Sequence, residues 1–99
     1  MISKKERIEL YNKCLEKWGY NSQLDQCIEE MAELTVAINK IKRKQLGEYK
    51  GQNTEENFIE EVVDVFFCIE QFIDWIGEEK FNKAMQVKFE KFKKCIDNN

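Results

Sequence analysis

Two short runs of the chain carry the same pattern of acidic residues within apolar sequence. CIEEMAELTVAINKI and FIEEVVDVFFCIEQF align without gaps, and each contains two adjacent acids followed, three residues later, by another. In this alignment Glu30 corresponds to Glu61 and Glu33 to Asp64. Side chains three residues apart lie close together on a helix, so each run offers a pair of carboxylates to one ligand.

Both pairs are placed in the same way relative to the apolar face of their helix. On a helical wheel of about 100° per residue, the first acid of each pair borders the arc of apolar residues. The second acid lies about 60° from the first, on the side away from that arc. A small residue, Ala37 or Cys68, falls between the two acids. Glu29 and its counterpart Glu60 fall further from the arc, which suits solvated residues or residues that support a metal ligand. A single acidic pair is common on solvated helices, but the shared register favours a site.

Four helical segments position these acids. Apolar residues spaced three and four apart predict helices over residues 4–17, 22–45, 54–76 and 78–96. Ser3 and Glu6 form a capping box before the first segment, and Ser22 is a good N-cap for the second, with a break at Gly19 and Asn21 between them. Asn53 or Thr54 is expected to cap the third segment, and Gly77 to end it. The sequence therefore predicts a single all-α domain over residues 1–99.

The second and third segments are predicted to form an antiparallel hairpin around the loop of residues 46–53. About 12 residues, or ~18 Å of helix, follow Glu33, and about 7 residues, or ~10 Å, separate Thr54 from Glu61. The loop can span up to ~27 Å, which is enough to absorb this difference. The hairpin can therefore set the two carboxylate pairs opposite each other.

Four carboxylates at a helix–helix seam repel one another and resist desolvation unless cations neutralise them. The chain has no histidine, and no pair of thiolates lies near these acids in the sequence. Oxygen-only ligands of this kind favour Mg²⁺, with Mn²⁺ as an alternative, over zinc. Mg²⁺ usually completes its shell with water and substrate phosphates. The pattern therefore predicts a magnesium–phosphate site.

Composition limits the class of protein. A chain of 99 residues is near the lower end of what folds alone, so assembly into an oligomer would suit it. The net charge of −3 argues against binding to a nucleic-acid polymer. No apolar run approaches the ~20 residues that cross a bilayer and no signal-peptide pattern opens the chain, so no membrane association and a cytoplasmic location are expected. The four cysteines, none in a CxxC motif, are expected to be reduced residues in or near the core, in preference to disulfides or a zinc site.

The paired motif resembles a known family. EEMAE at 29–33 and EVVD at 61–64 resemble the EExxE…ExxD pattern of MazG-like proteins in the all-α NTP pyrophosphohydrolase superfamily, and the resemblance extends over about residues 18–94. It implies a four-helix MazG-like bundle completed by oligomerisation, as a homodimer or homotetramer. It also implies hydrolysis of a nucleoside triphosphate between the α and β phosphates, on non-canonical or surplus (deoxy)nucleotides. By matching position, the catalytic residues that would hold Mg²⁺ are Glu30, Glu33, Glu61 and Asp64.

The resemblance also suggests groups that contact the substrate. KFEK, which ends at Lys91, resembles the KFxRR stretch of some members, although Phe92 replaces the second arginine. Lys88 and Lys91 would then contact substrate phosphates; the alternative is that they are solvated. For the base, Trp18 could stack and Gln23 could donate a hydrogen bond; the alternatives are core packing and an exposed amide.

Three hypotheses follow for the function. The first is a Mg²⁺-dependent pyrophosphohydrolase in which Glu30 or Glu33 takes the proton of the attacking water. The second is a catalytically inactive helical dimerisation or adaptor module with the same fold, which the incomplete basic set favours. The third, a carboxylate bundle that holds iron, is disfavoured because the usual histidine ligands are missing.

Overall fold

The computed structural model describes residues 1–98, which form three α-helices. These are α1 (Lys4–Gln45), α2 (Thr54–Ile76) and α3 (Glu78–Asp97), and the prediction of an all-α chain is confirmed. Helix α2 contacts both of the others. Contacts between Gln23 and Gln71, and between Glu33 and Glu61, show that α1 and α2 run antiparallel from residue 20 onward.

Helix α1 is one element with a single break, where two separate helices were predicted. Ser3 begins it through the predicted capping box, since its hydroxyl accepts from the Glu6 N–H at 3.1 Å. Gly19 has φ 82° and ψ 168°, a conformation that is almost exclusive to glycine. Because no other residue leaves helical geometry, the helix resumes directly after Gly19, and Ser22 lies inside it instead of capping a new helix. Residues 1–98 therefore form three helices and not four, and α1 has two arms, residues 4–18 and 20–45.

The ends of α2 are set by backbone conformation. Asn53 holds the N-cap position in the left-handed region, with φ 58°, and makes no side-chain capping bond; Thr54 is already helical. Asn53 is therefore the N-cap residue, one of the two that were expected, but it caps the helix without a side-chain bond. Gly77 ends α2 with φ 97°, as predicted, and α3 follows immediately.

A small polar network joins the first arm of α1 to α2. The buried carboxylate of Glu70 accepts from Arg7 Nε at 2.7 Å and Nη2 at 3.0 Å. It also accepts from the Tyr11 hydroxyl at 2.7 Å. These bonds hold the pKa of Glu70 below its usual range, first through Arg7 and also through Tyr11, although burial opposes the shift. Lys4 forms a further ion pair with Glu78 at the start of α3.

The apolar core of the single chain is small. Its buried members are Tyr11, Cys27, Ala37 and Cys68. Cys14 is half-buried and Cys95 is exposed, so the expectation that the four cysteines lie in or near the core is wrong for Cys95; all four are free thiols. Large apolar side chains on α3 remain more than half exposed: Met85, Phe89, Phe92 and Ile96.

The dimensions of the chain agree with this small core. Its radius of gyration is 17.0 Å, whereas a compact domain of this length has about 13 Å. Its accessible surface is 8181 Å², against roughly 6,000 Å² for a compact monomer of this mass. About 2,200 Å² of surface is thus in excess, and many large apolar side chains of the helices stay exposed among the described residues. Among residues 1–98, no helix has the length and apolar character needed to cross a membrane.

Candidate metal centre

Two carboxylate pairs meet at the seam between α1 and α2. Oxygen atoms of Glu30, Glu33 and Glu61 lie within 4.8 Å of one another. Asp64 is close enough to raise the pKa of both Glu30 and Glu61. The helices can approach closely at this point because small side chains line the seam next to the acids: Ala37 and Cys68 are both buried.

Two oxygens of this cluster have no hydrogen-bond partner. Glu30 Oε2 and Glu61 Oε2 are buried, and no group within residues 1–98 donates to either of them. The other oxygen of Glu30 accepts from Gln26 Nε2 at 2.7 Å, which fixes the orientation of the carboxylate. A buried acceptor without a donor is unfavourable by about 1–3 kcal/mol, and more when it is charged. A divalent cation would satisfy both oxygens at once, so these residues fit an oxygen-ligated ion.

The pKa values reflect the same crowding. Burial is the main reason why the pKa of Glu30 is raised; the Gln26 hydrogen bond opposes the shift, and the charges of Asp64 and Glu33 add to it. The pKa of Glu61 is raised first by burial and then by the charges of Glu33 and Asp64. The carboxylate forms of Glu30 and Glu61 are thus less favourable than that of a free glutamate, and added positive charge would offset this effect.

Three other predicted site residues are exposed, namely Glu29, Lys88 and Lys91. Glu29 is exposed, which agrees with a solvated residue. Lys88 and Lys91 lie on α3, which packs against α2 and whose backbone does not closely approach that of α1 within residues 1–98. Within the described single chain, the structure brings the four carboxylates together, and the assignment of the two lysines to substrate phosphates stays a prediction.

A cavity of about 190 Å³ adjoins the cluster, between α2 and the two arms of α1. We call it the inner cavity, and it is lined by residues of both helices: Leu10, Tyr11, Cys14, Gln23, Gln26, Cys27, Glu30, Asp64, Phe67, Cys68 and Gln71. Burial, followed by a hydrogen bond with Cys27, raises the pKa of the Cys68 thiol to about 12, so this wall is neutral. The cavity therefore has an acidic end at Glu30 and Asp64 and a neutral interior.

Two glutamines meet in the inner cavity. Gln71 is only 4% exposed, and its Nε2 donates to Gln23 Oε1 at 3.3 Å. Sequence reasoning selected Gln23 but missed Gln71 and Gln26. The signal was present: Gln71 follows Asp64 by seven residues, and Gln23 precedes Glu30 by seven. Seven residues are about two helical turns. Because the two helices are antiparallel and their acids lie level, the two glutamines also lie level with each other.

A second, outer cavity of about 440 Å³ shares Gln23 and Gln26 with the first and extends to Trp18. Trp18 is 55% exposed, so the alternative that it packs in the core does not hold within this chain. Lys17 Nζ lies 5.0 Å from the centre of the Trp18 ring. The indole is thus accessible to a ligand.

No protein-family model, curated protein or solved structure matches the chain. What the site can do chemically follows from its own residues. The four carboxylates can hold a divalent cation and, through it, a polyanion, while the neutral inner cavity can receive an uncharged group joined to that polyanion.

Proposed function

We propose that this protein is a Mg²⁺-dependent nucleotide pyrophosphohydrolase, which cleaves a nucleoside triphosphate into a monophosphate and pyrophosphate. The observation that carries the proposal is the pair of buried carboxylate oxygens, on Glu30 and Glu61, that lack any donor. Support also comes from the resemblance of EEMAE and EVVD to the MazG-like motif. Non-canonical or surplus (deoxy)nucleotides are the proposed substrates, and Mn²⁺ is the proposed substitute ion.

The four carboxylates would divide the work between them. All four would bind the ion, because hard oxygen ligands suit Mg²⁺, and one of them would have a second role. When bound, Mg²⁺ supplies charge neutralisation for phosphate oxygens and lowers the pKa of a water. Glu33 is the most exposed member of the cluster, so we assign to it the acceptance of the proton from the attacking water.

The substrate phosphates also need basic partners. Lys88 and Lys91 are proposed for this role, and both lie on α3, whose apolar face is uncovered. A second copy of the chain would cover that face and supply the helices that complete a four-helix bundle. The excess of about 2,200 Å² per chain suits a permanent homodimer, in which such interfaces bury roughly 2,000–5,000 Å² in total. We therefore propose that the enzyme works as a homodimer or as a homotetramer.

A product assay with a matched pair of variants tests the activity. The protein is incubated with Mg²⁺ and a panel of ribo- and deoxynucleoside triphosphates, and monophosphate, pyrophosphate and orthophosphate are measured separately. Equal amounts of monophosphate and pyrophosphate are expected. Glu61→Gln should lower kcat/KM by about 100-fold or more, since it removes a ligand and a charge from the cluster. Glu60→Gln, an exposed neighbour, should stay within threefold of wild type. An unchanged rate in Glu61→Gln would overturn the site.

A second candidate function is an inactive dimerisation or adaptor module. The exposed apolar face of α3 and the presence of Phe92 in place of an arginine favour it. This hypothesis expects no thermal shift on addition of Mg²⁺ and the recovery of one defined partner protein in pull-downs. A Mg²⁺-dependent shift that Glu61→Gln abolishes would reject it.

A further inference from the structure

The repeated acidic motif allows the two ends of the carboxylate seam to be compared residue by residue. The second motif follows the first by 31 residues. Two antiparallel helices that carry the same pattern are related by an approximate twofold axis, which exchanges α1 with α2. Under this exchange Lys40 of α1 corresponds to Gln71 of α2, and Asn57 of α2 corresponds to Gln26 of α1. Lys40 and Asn57 therefore belong to the end of the seam next to the loop of residues 46–53, which we call the loop end.

Contacts among the acids follow this symmetry. Oxygen atoms of Glu33 and Glu61 lie within 4.8 Å of each other. The equivalent pair is Asp64 and Glu30, and these two are close enough for Asp64 to raise the pKa of Glu30. The symmetry of the sequence is thus also a symmetry of the packed helices.

Lys40 is accordingly turned towards the seam. Its equivalent, Gln71, is only 4% exposed. Lys40 is half-buried, whereas Lys42 is exposed. Lys40 lies seven residues beyond Glu33, which is ~10 Å along the same face of α1. Because helical side chains lean towards the N-terminus of their helix, the ammonium of Lys40 extends back towards the acids.

Nothing within the described residues balances the charge of Lys40. The three ion pairs found among residues 1–98 all join other residues. The helix dipole does not account for Lys40 either, because its effect falls off within the last turn, whose basic residues are 42–44. A half-buried charge is unfavourable without a partner. Lys40 therefore suits an anion supplied from outside the chain.

The distance to the acids suits a phosphate held between the ion and the lysine. Mg²⁺ binds oxygen atoms at about 2.1 Å, and an ammonium donates to an anionic oxygen at about 2.8 Å. The path from a carboxylate through the ion and one phosphate to the ammonium thus spans roughly 7 Å plus the width of the phosphate. This agrees with the ~10 Å between Glu33 and Lys40. Asn57 is half-buried one turn before Glu61, and it offers a neutral donor from α2 at the same end.

We infer that Lys40, assisted by Asn57, binds the pyrophosphate portion of the substrate at the loop end of the seam. The inference rests on the proposed function for the reaction, and it adds the direction in which the triphosphate lies. The β- and γ-phosphates lie towards the loop, and the α-phosphate lies towards the end that carries the neutral amides of Gln26 and Gln71.

This placement gives Lys40 a part in the departure of the leaving group. The oxygen of the attacking water bonds to the α-phosphorus, and the bond from that phosphorus to the bridging oxygen breaks. The bridging oxygen leaves with the electron pair as part of pyrophosphate. A positive charge already in place at the loop end stabilises the negative charge that develops there. Lys40 is thus a phosphate-binding residue within the same chain as the four carboxylates.

Binding of inorganic pyrophosphate tests the inference without turnover. Calorimetric titrations with pyrophosphate in the presence of Mg²⁺ compare Lys40→Gln with Lys42→Gln. Each variant removes one positive charge from α1, but Lys42 is exposed and lies nine residues after Glu33, on the opposite side of the helix. Lys40→Gln should weaken pyrophosphate binding about tenfold or more, as expected when a hydrogen bond to a charged group is lost. Lys42→Gln should stay within about twofold of wild type, because salt screens a distant exposed charge.

Two further variants sharpen the comparison. Asn57→Leu should weaken pyrophosphate binding about fivefold, since a neutral hydrogen bond contributes less than a charged one. Lys40→Arg keeps the charge, and it should bind pyrophosphate more tightly than Lys40→Gln does. The Mg²⁺-induced thermal shift should be the same in wild type and in all of these variants, because the four carboxylates are unchanged.

Each result decides the inference. Equal affinity for pyrophosphate in Lys40→Gln and Lys42→Gln would overturn it, and so would the absence of pyrophosphate binding by the wild-type protein. If pyrophosphate binding depends on Lys40 but no triphosphate is hydrolysed, the proposed reaction fails and the phosphate site stands. If triphosphates are hydrolysed equally fast by Lys40→Gln and Lys42→Gln, the reaction stands and the role of Lys40 fails.

Discussion

Replacing Tyr11 with phenylalanine would remove one hydroxyl from the contact between α1 and α2 and leave the ring in place. Tyr11 is 8% exposed, and its hydroxyl donates to Glu70 Oε1 at 2.7 Å. Hydrogen bonds to charged groups contribute about 1.5–3 kcal/mol. Glu70 keeps both of its bonds from Arg7 in the variant, so no group is left wholly unpaired. We therefore expect the lower end of this range, about 1.5 kcal/mol.

Urea unfolding at a fixed protein concentration measures this loss, with circular dichroism as the signal. In a separate thermal unfolding experiment, a loss of about 1.5 kcal/mol corresponds to a fall in Tm of about 6–12 °C for a domain of this size. Tyr20→Phe is the matched control, because Tyr20 is 59% exposed and meets Trp75 through its ring, with centroids 5.0 Å apart. The control should stay within about 0.5 kcal/mol of wild type.

The same variant predicts a dependence on pH. The lowered pKa of Glu70 means that its ionised form stabilises the folded chain. This contribution is present above the pKa of the unfolded chain and is lost as the pH falls through the lower pKa of the folded chain. The difference between wild type and Tyr11→Phe should therefore shrink on acidification. Equal stability of the two proteins at pH 7 would refute the reasoning, and so would a difference that does not change at low pH.

Three further predictions concern other parts of the molecule. Gly19→Ala should destabilise the fold by about 1–3 kcal/mol in urea unfolding, because alanine must adopt a conformation nearly exclusive to glycine; an unchanged midpoint would contradict this. Phe92→Glu should shift the sedimentation coefficient from oligomer to monomer, since it puts a charge on the apolar face of α3; a monomeric wild-type protein would contradict it. The exposed Cys95 should react with a thiol reagent at pH 8 well before Cys68, whose pKa is raised to about 12 by burial; equal rates would be inconsistent with the structure.

The helices and the juxtaposition of the acids followed from local rules. Three- and four-residue spacing revealed the helices, the capping box at Ser3 marked the first start, and Gly77 marked the end of α2. The rise per residue and the length of the loop were sufficient to bring the acidic pairs level.

Other features depended on contacts that no local pattern records. The bond between Tyr11 and Glu70 joins residues 59 positions apart, and the bond between Gln23 and Gln71 joins residues 48 positions apart. The exposure of Trp18 depends equally on what the rest of the chain covers. At Gly19 the sequence predicted a break between two helices, but it did not show that the break is confined to one residue.

The break at Gly19 also bears on motion. Nothing lies within 4 Å of the position that a Cβ would occupy there, so neighbouring side chains do not restrain this residue. A pivot of the first arm of α1 about Gly19 would therefore meet no side chain at this residue, and it would have to break the bonds of Arg7 and Tyr11 to Glu70. Since this arm contributes Leu10, Tyr11 and Cys14 to the wall of the inner cavity, the pivot would widen the cavity while leaving the carboxylate seam intact. In hydrogen exchange, amides of the first arm should then lose protection together, ahead of those flanking Glu30 on the second arm.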